Sequence, residues 1–256
     1  MHAPHTVDLI EPDLLMLAYR TGIFPMADSR EDPEIFWVEP RLRAILPLDG
    51  FRMSHSLART LRRGRFTVTC NAAFSQVVEA CAAPRPSSAS DEEEGEEGRS
   101  WISHRIQASY ENLHHLGHAH SIECWQDGLD GQRRLVGGLY GVGFERVFCG
   151  ESMFSRVSDA SKVALAWLVA AMRRGHASLL DCQFITTHLA SLGAEEMSQK
   201  RYLTLLRAAQ SPVAAGDGEA VLALPEAFAA LLEDAAAAGL GAAPGKFIAQ
   251  AFTHTS

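Results

Sequence analysis

Leu179-Leu180-Asp181-Cys182-Gln183 sets a carboxylate and an amide two residues apart in an otherwise apolar run. The run is strand-like from Ser178 to Phe184, and the apolar stretch Ala160 to Met172 that leads into it has helical character. Side chains alternate along a strand, so Asp181 and Gln183 emerge on one face and Cys182 on the other. Polar groups near the end of such a strand serve either as hydrogen-bond partners for a neighbouring loop or as a site.

Upstream of this unit, strands are predicted near His120 to Trp125, Leu135 to Phe144 and Val147 to Cys149, after a helix from about Ser103 to Leu116. The result is a mixed α/β domain with a largely antiparallel middle. Ser54 is placed to cap a helix that runs to Arg63 and stops at Gly64, and Phe66 to Cys70 alternates as a strand does. Asn71 then caps a helix from Ala72 to Ala82, where Phe74, Val77, Val78 and Cys81 share one face. Nearer the start, a short helix from Pro12 ends near Arg20 before Gly22, and Ile35 to Val38 and Ala44 to Leu46 read as strands separated by Pro40. The chain therefore divides into a small N-terminal α+β domain (1–62), a larger mixed α/β domain (63–210) and an Ala/Gly-rich C-terminal appendage (211–256) with a helix from Ala220 to Gly239. Residues 83–99 are rich in Ser, Pro and like charges and read as a flexible acidic insertion.

The 256 residues suffice for a substantial core, and 47% hydrophobic with 21% charged residues is an ordinary globular balance that does not separate an enzyme from a binding module. A net charge of -8 argues against a polyanionic partner only until its origin is traced. Six of the 31 acidic residues lie between Asp91 and Glu97, and the remainder of the chain is close to neutral. Five cysteines, odd in number and without a C-x-x-C pair, read as reduced thiols. No secretory signal or membrane-length apolar stretch is apparent, so a cytoplasmic location is expected.

Other clusters hold possible chemistry. Cys149-Gly150-Glu151-Ser152-Met153-Phe154-Ser155 reads as a strand-to-helix connection in which Gly150 allows close approach and Glu151 is suited to binding. It lacks the G-x-S-x-G of a nucleophile elbow. His114, His115, His118 and His120 have no recognisable zinc spacing, and no metal is expected. Arg52, Arg59, Arg62, Arg63 and Arg65 gather around one helix, either as a solvated face or as a phosphate platform. Gly137 to Gly143 lacks the Walker lysine.

Several stretches taken together resemble the bacterial leucyl/phenylalanyl-tRNA-protein transferase family. They are Tyr19 to Pro25, Trp101-Ile102, Leu116 to Glu123, Val136 to Val142, Phe148 to Ser155, and Asp181-Cys182-Gln183 with His188 to Ala194, in the family's order from about Leu14 to Leu206. The resemblance implies a small N-terminal domain followed by a GCN5-related acetyltransferase-like (GNAT) catalytic domain with a mixed sheet. It implies transfer of leucine or phenylalanine, with methionine as a further donor, from aminoacyl-tRNA to proteins beginning with Lys or Arg, which marks them for degradation. Aminoacyl-tRNA is then a co-substrate, no cofactor or metal is needed, no membrane is involved, and a monomer is expected.

By the same resemblance, Gln183 orients the attacking amine with Asp181 polarising it, while Glu151 helps hold the reacting groups. An amide is a poor base, so Gln183 mainly positions, and Asp181 or the tRNA's own terminal hydroxyl handles the proton. The aminoacyl pocket maps to Leu139, Phe154, Leu168, Met172 and Leu180, with ordinary core packing as the alternative reading. Trp101 and Tyr110 fall near the terminal adenosine or the aminoacyl group. Met26 stands where many members carry a tryptophan, which removes a stacking plane. Arg59, Arg62, Arg63 and Arg65 lie where the family contacts the acceptor stem through phosphates. A different acyl donor such as an acyl-coenzyme A, or a non-catalytic tRNA-binding role, are the rival readings.

Overall fold

The computed structural model describes residues 8–84, 100–212 and 220–252. The flexible-insertion reading at 83–99 and the charge cluster Asp91 to Glu97 fall largely outside them. The chain opens with α1 (Pro12–Thr21), which has a proline in its first turn and stops at Gly22, whose φ of 85° lets its N–H return to the last carbonyls of the helix. A two-stranded ribbon follows, β1 (Phe24–Met26) against β2 (Phe36–Val38), with Met26 opposite Phe36. Next come β3 (Leu42–Ile45), α2 (His55–Arg62), β4 (Thr67–Cys70), α3 (Phe74–Ala82) and α4 (His104–His115). Ser54 caps α2 by accepting the Leu57 N–H. The long strands β5 (Ala119–Asp127), β6 (Arg133–Phe144) and β7 (Val147–Ser155) lead to α5 (Ala160–Arg174) and β8 (Leu179–Gln183). The short α6 (Thr187–Ser191), β9 (Glu195–Ser198) and α7 (Gln199–Gln210) come before α8 (Leu224–Ala237) and α9 (Pro244–Ala251).

Seven strands form one mixed sheet in the order β4-β5-β6-β7-β8-β3-β9. Neighbours are antiparallel except β7 and β8, which run parallel because α5 crosses between them. These two strands pair at Val147 with Leu179, Phe148 with Leu180 and Cys149 with Asp181. Beyond that point β7 runs on to Ser155 along β6 and β8 to Gln183 along β3, but the two no longer pair with each other, so the sheet parts between them. One core gathers α5 with α2, α8 and α9 and includes Leu139, Leu168, Met172 and Leu180. The other gathers Tyr19, Phe24, Tyr110, Tyr140 and Cys149 with α3 and α7.

Four local features differ from the sequence reading. Cys149 to Ser155 is strand, not a connection to a helix. Asn71 does not cap α3. It sits at φ 59° and binds the Ser121 N–H and the His120 ring, while the N–H groups of Ala72 and Ala73 reach Glu123 on β5. β3 falls inside the expected unit 1–62 yet is hydrogen-bonded between β8 and β9, and Leu57 and Leu61 of α2 enter the core around α5. The C-terminal helices are likewise built into that core: Phe228 packs on Trp167 at 5.2 Å, Phe252 on Phe51 at 5.0 Å, and Arg174 binds Asp234 at 2.6 Å.

Candidate active site

The centre forms where β7 and β8 part. Asp181 is wholly buried, and each of its oxygens is occupied. Arg43 on β3 donates from Nε to Oδ1 at 2.9 Å and to Oδ2 at 3.1 Å, and from Nη2 to Oδ2. The Tyr202 hydroxyl on α7 donates to Oδ2 at 2.8 Å, and the Gln183 backbone N–H donates to Oδ1 at 2.8 Å. Burial works against the Arg43 charge, but the adjacent Asp181 carboxylate outweighs it and leaves the guanidinium more firmly protonated than usual. Five hydrogen bonds thus converge on the two oxygens of Asp181.

Gln183 ends its strand in the left-handed region at φ 60°, a conformation that costs a non-glycine residue of order 1 kcal/mol. The Asp181 side chain stabilises it by the bond to its N–H, two residues on. The expected pairing of Asp181 with the Gln183 amide does not occur. The amide Nε2 turns instead to Glu151 and donates to Oε1 at 2.8 Å.

Glu151 reaches this position through a β-bulge. Tyr140 of β6 faces Ser152, but Gly141 faces Gly150, so Glu151 is the extra residue of β7. Gly141 makes the bulge possible, since a Cβ there would lie 2.2 Å from the Cys149 carbonyl oxygen. Tyr110 on α4 donates to Glu151 Oε2 at 3.0 Å, and its oxygen lies 2.5 Å from the Tyr19 hydroxyl. Burial raises the Glu151 pKa, the bonds from Tyr19, Gln183 and Tyr110 pull it back, and the charge on Asp181 adds to the rise, leaving it at about 7. That value is close to the ~8 of a peptide α-amino group. The hydroxyl of Tyr140, also fully buried and close enough to feel Glu151, has no hydrogen-bond partner among the described residues.

The structure thus brings Asp181, Gln183 and Glu151 together and adds Arg43, Tyr19 and Tyr202, which the sequence reading missed. Arg43 carried one signal: a charge flanked by apolar residues in Leu42-Arg43-Ala44-Ile45-Leu46. Tyr110 is fully buried with its ring edge-on to Tyr140, so it presents no stacking face and acts as a donor to Glu151 instead. Leu139, Leu168, Met172 and Leu180 are buried on the α5 side of the sheet, with Met153 and Cys182 packed against them. Phe154 is partly buried beneath the Arg156 guanidinium. Trp101 accepts the Ala27 N–H at its carbonyl, which sets it at the end of β1 beside Met26, and both are partly buried. Arg59, Arg62, Arg63 and Arg65 are exposed on α2 and just beyond it. The histidines are used locally: His114 stacks on Phe74, His115 binds the Glu111 carbonyl, and His120 is buried with its pKa pushed down to about 4. A surface cleft of about 530 Å³, lined by Pro47, Leu48, Arg173 and Ser178 among others, flanks the start of β8 and holds none of the predicted site residues.

Residues 45–207 match the family model described as leucyl/phenylalanyl-tRNA protein transferase, and residues 8–41 match the model of that enzyme's N-terminal domain. The two models meet between residues 41 and 45, at β3. The leucyl/phenylalanyl-tRNA--protein transferase of Novosphingobium aromaticivorans is 59% identical over 99% of this chain and 98% of its own length. That of Rhizorhabdus wittichii is 56% identical over 82% of this chain and 79% of its own. Among solved structures, FemX aligns with a TM-score of 0.45 at 12% identity, covering 73% of this chain and 66% of its own.

Proposed function

The chain belongs to the leucyl/phenylalanyl-tRNA protein transferase family and is an aminoacyltransferase, and from that premise we propose which groups it joins and how. It transfers leucine or phenylalanine, and methionine as a further donor, from aminoacyl-tRNA to the α-amino group of proteins that begin with Lys or Arg, marking them for degradation. It works in the cytoplasm as a monomer without a cofactor or metal. Among the described residues no helix is long and apolar enough to cross a membrane. The mixed sheet with one parallel crossover is compatible with a GNAT-type catalytic domain.

One observation carries the mechanism: the Glu151–Gln183 pair, 2.8 Å apart, stands where β7 and β8 separate. An aminoacyl ester is already activated, so positioning and a single proton transfer suffice. Because the Gln183 amide nitrogen is held by Glu151, its oxygen remains to accept an N–H of the incoming amine. Glu151, whose pKa of about 7 lies near that of the amine, takes the proton as nitrogen attacks the ester carbonyl. It returns the proton to the terminal ribose oxygen as the carbon–oxygen bond breaks. Tyr110 and Tyr19 keep the carboxylate oriented throughout.

Leu139, Leu168, Met172 and Leu180 supply the apolar lining for the transferred side chain from the α5 side, with Phe154 at its edge. Trp101 beside Met26 receives the terminal adenosine. Exposed Arg59, Arg62, Arg63 and Arg65 meet acceptor-stem phosphates without reading sequence. The test incubates the protein with leucyl-tRNA carrying labelled leucine and a peptide that begins with Arg, alongside a matched peptide that begins with Asp. Label is expected on the first peptide and not the second. Transfer to neither overturns this reading.

A further inference from the structure

We propose that Arg43 is a positioning residue of the transfer reaction: its buried guanidinium fixes the Asp181 carboxyl group in place, and so aligns Gln183 and ties the β1 segment to the reacting groups. The proposal rests on the transferase reading above.

Arg43 is the largest fully buried side chain among the described residues, with 1% of its surface exposed, and it meets four elements at once. It donates to Asp181 on β8, and from Nη1 to the Gly22 carbonyl at 3.1 Å, where α1 hands over to β1. Its guanidinium carbon lies 4.8 Å from the Phe24 ring centroid and 4.6 Å from that of Tyr202, so the group is bounded by rings from β1 and α7. Phe24 in turn meets Phe184 edge-on at 5.8 Å, and Phe184 directly follows Gln183. One planar cation therefore touches both routes to Gln183, through the Asp181 carboxylate and through the Phe24–Phe184 contact.

The consequence is directional. Gln183 holds a strained backbone, and the bond from its N–H to Asp181 Oδ1 offsets that strain only while the carboxylate is held in place. The flat two-point fork of a guanidinium fixes the plane of a carboxylate, which an ammonium does not. β1 also carries Met26 beside Trp101, so the bond to Gly22 sets the spacing between that segment and the amide. Stability alone does not need such a pair, because an apolar pair of similar volume is often as stable. Its specific effect is alignment, and a shift of about 1 Å in an aligned site costs roughly a hundredfold in rate.

Arg43→Lys keeps the charge and loses the fork, and Tyr202→Phe removes one donor to Asp181 with little change of volume. Both are measured in single-turnover transfer from leucyl-tRNA to the Arg peptide, with melting temperature recorded alongside. For Arg43→Lys the rate constant is expected to fall about 10- to 100-fold while the half-saturating tRNA concentration stays within about threefold. Tyr202→Phe is expected to lose about three- to tenfold in the same constant. In Arg43→Ala, added methylguanidinium is expected to restore the rate saturably, and methylurea is not. Full rates in folded Tyr202→Phe and Arg43→Lys, or losses confined to tRNA affinity, overturn the proposal. Should Arg43→Lys fail to fold, Tyr202→Phe decides alone. Absence of transfer by the unmodified protein strikes the transferase reading instead, so the two failures are distinguishable.

Discussion

At Glu151 two requirements oppose each other. The carboxyl is 8% exposed, and burial disfavours its ionised form, while three donors from Tyr19, Tyr110 and Gln183 favour it. The balance at about 7 keeps the group usable as a base near neutrality and also makes it a stability liability. The sign follows from the direction of the shift. Well below the ordinary value of 4.5 the group is protonated whether folded or unfolded, and between 4.5 and about 7 the unfolded chain ionises while the folded one resists, so stability is lost across that window and levels off above it. Glu151→Gln removes that loss. Urea unfolding should show the variant more stable than the parent by about 1–3 kcal/mol at pH 8, with the gain shrinking toward pH 5. Its transfer rate should fall by about 10²- to 10⁴-fold. A stability difference that ignores pH would put the Glu151 carboxyl back in the ordinary range, and an undiminished rate would remove it from the chemistry.

At the scale of elements, the bulge in β7 decides where Glu151 points. The strand reading stopped at Cys149 because the bulge breaks the alternation expected of a strand, and the polar run that follows looks like a loop. Gly141 is the element's weak point. A methyl there meets the Cys149 carbonyl oxygen at 2.2 Å and Phe148 Cε1 at 2.5 Å, and Cys149 belongs to the last pair before β7 and β8 part. Gly143 on the same strand tolerates the same methyl, with its nearest neighbour at 3.4 Å. Gly141→Ala is therefore expected to cost at least about 2 kcal/mol and most of the activity, while Gly143→Ala costs less than about 1 kcal/mol and keeps it. Equal behaviour of the two variants in melting and transfer assays would show that the bulge does not hold the carboxylate.

Across the whole molecule, the tail after Gln210 changes meaning once packed. Alanine-rich sequence reads as an appendage because small side chains give a weak amphipathic signal, yet Leu224, Ala227, Phe228, Leu231 and Ile248 are buried against the helix that joins β7 to β8. A chain ending at Pro212 uncovers Trp167 and Phe51 and loses the Arg174–Asp234 pair. Removing five such buried apolar side chains from the core costs on the order of 5–10 kcal/mol, comparable to the entire stability of a typical domain. The truncated chain is expected to be insoluble, or to melt at least about 10 °C lower. An unchanged melting temperature would return the tail to the status of an appendage.

The sequence by itself determined the elements around the catalytic segment, because helical and strand periodicities are local properties of neighbouring residues. It also singled out Asp181, Gln183 and Glu151, through motifs that resemble the family in order and spacing, and the three lie together in the fold. Only the tertiary structure shows what each of them touches. A lone arginine at residue 43 and tyrosines at 19 and 202 carry no periodic signal, yet 138 residues of separation close to a direct ion pair between Arg43 and Asp181. That pairing fills both Asp181 oxygens, and it is why the proposed mechanism gives the proton to Glu151. Hydrogen-bond saturation and burial are properties of packed neighbours, and packing joins strands that lie far apart in the chain.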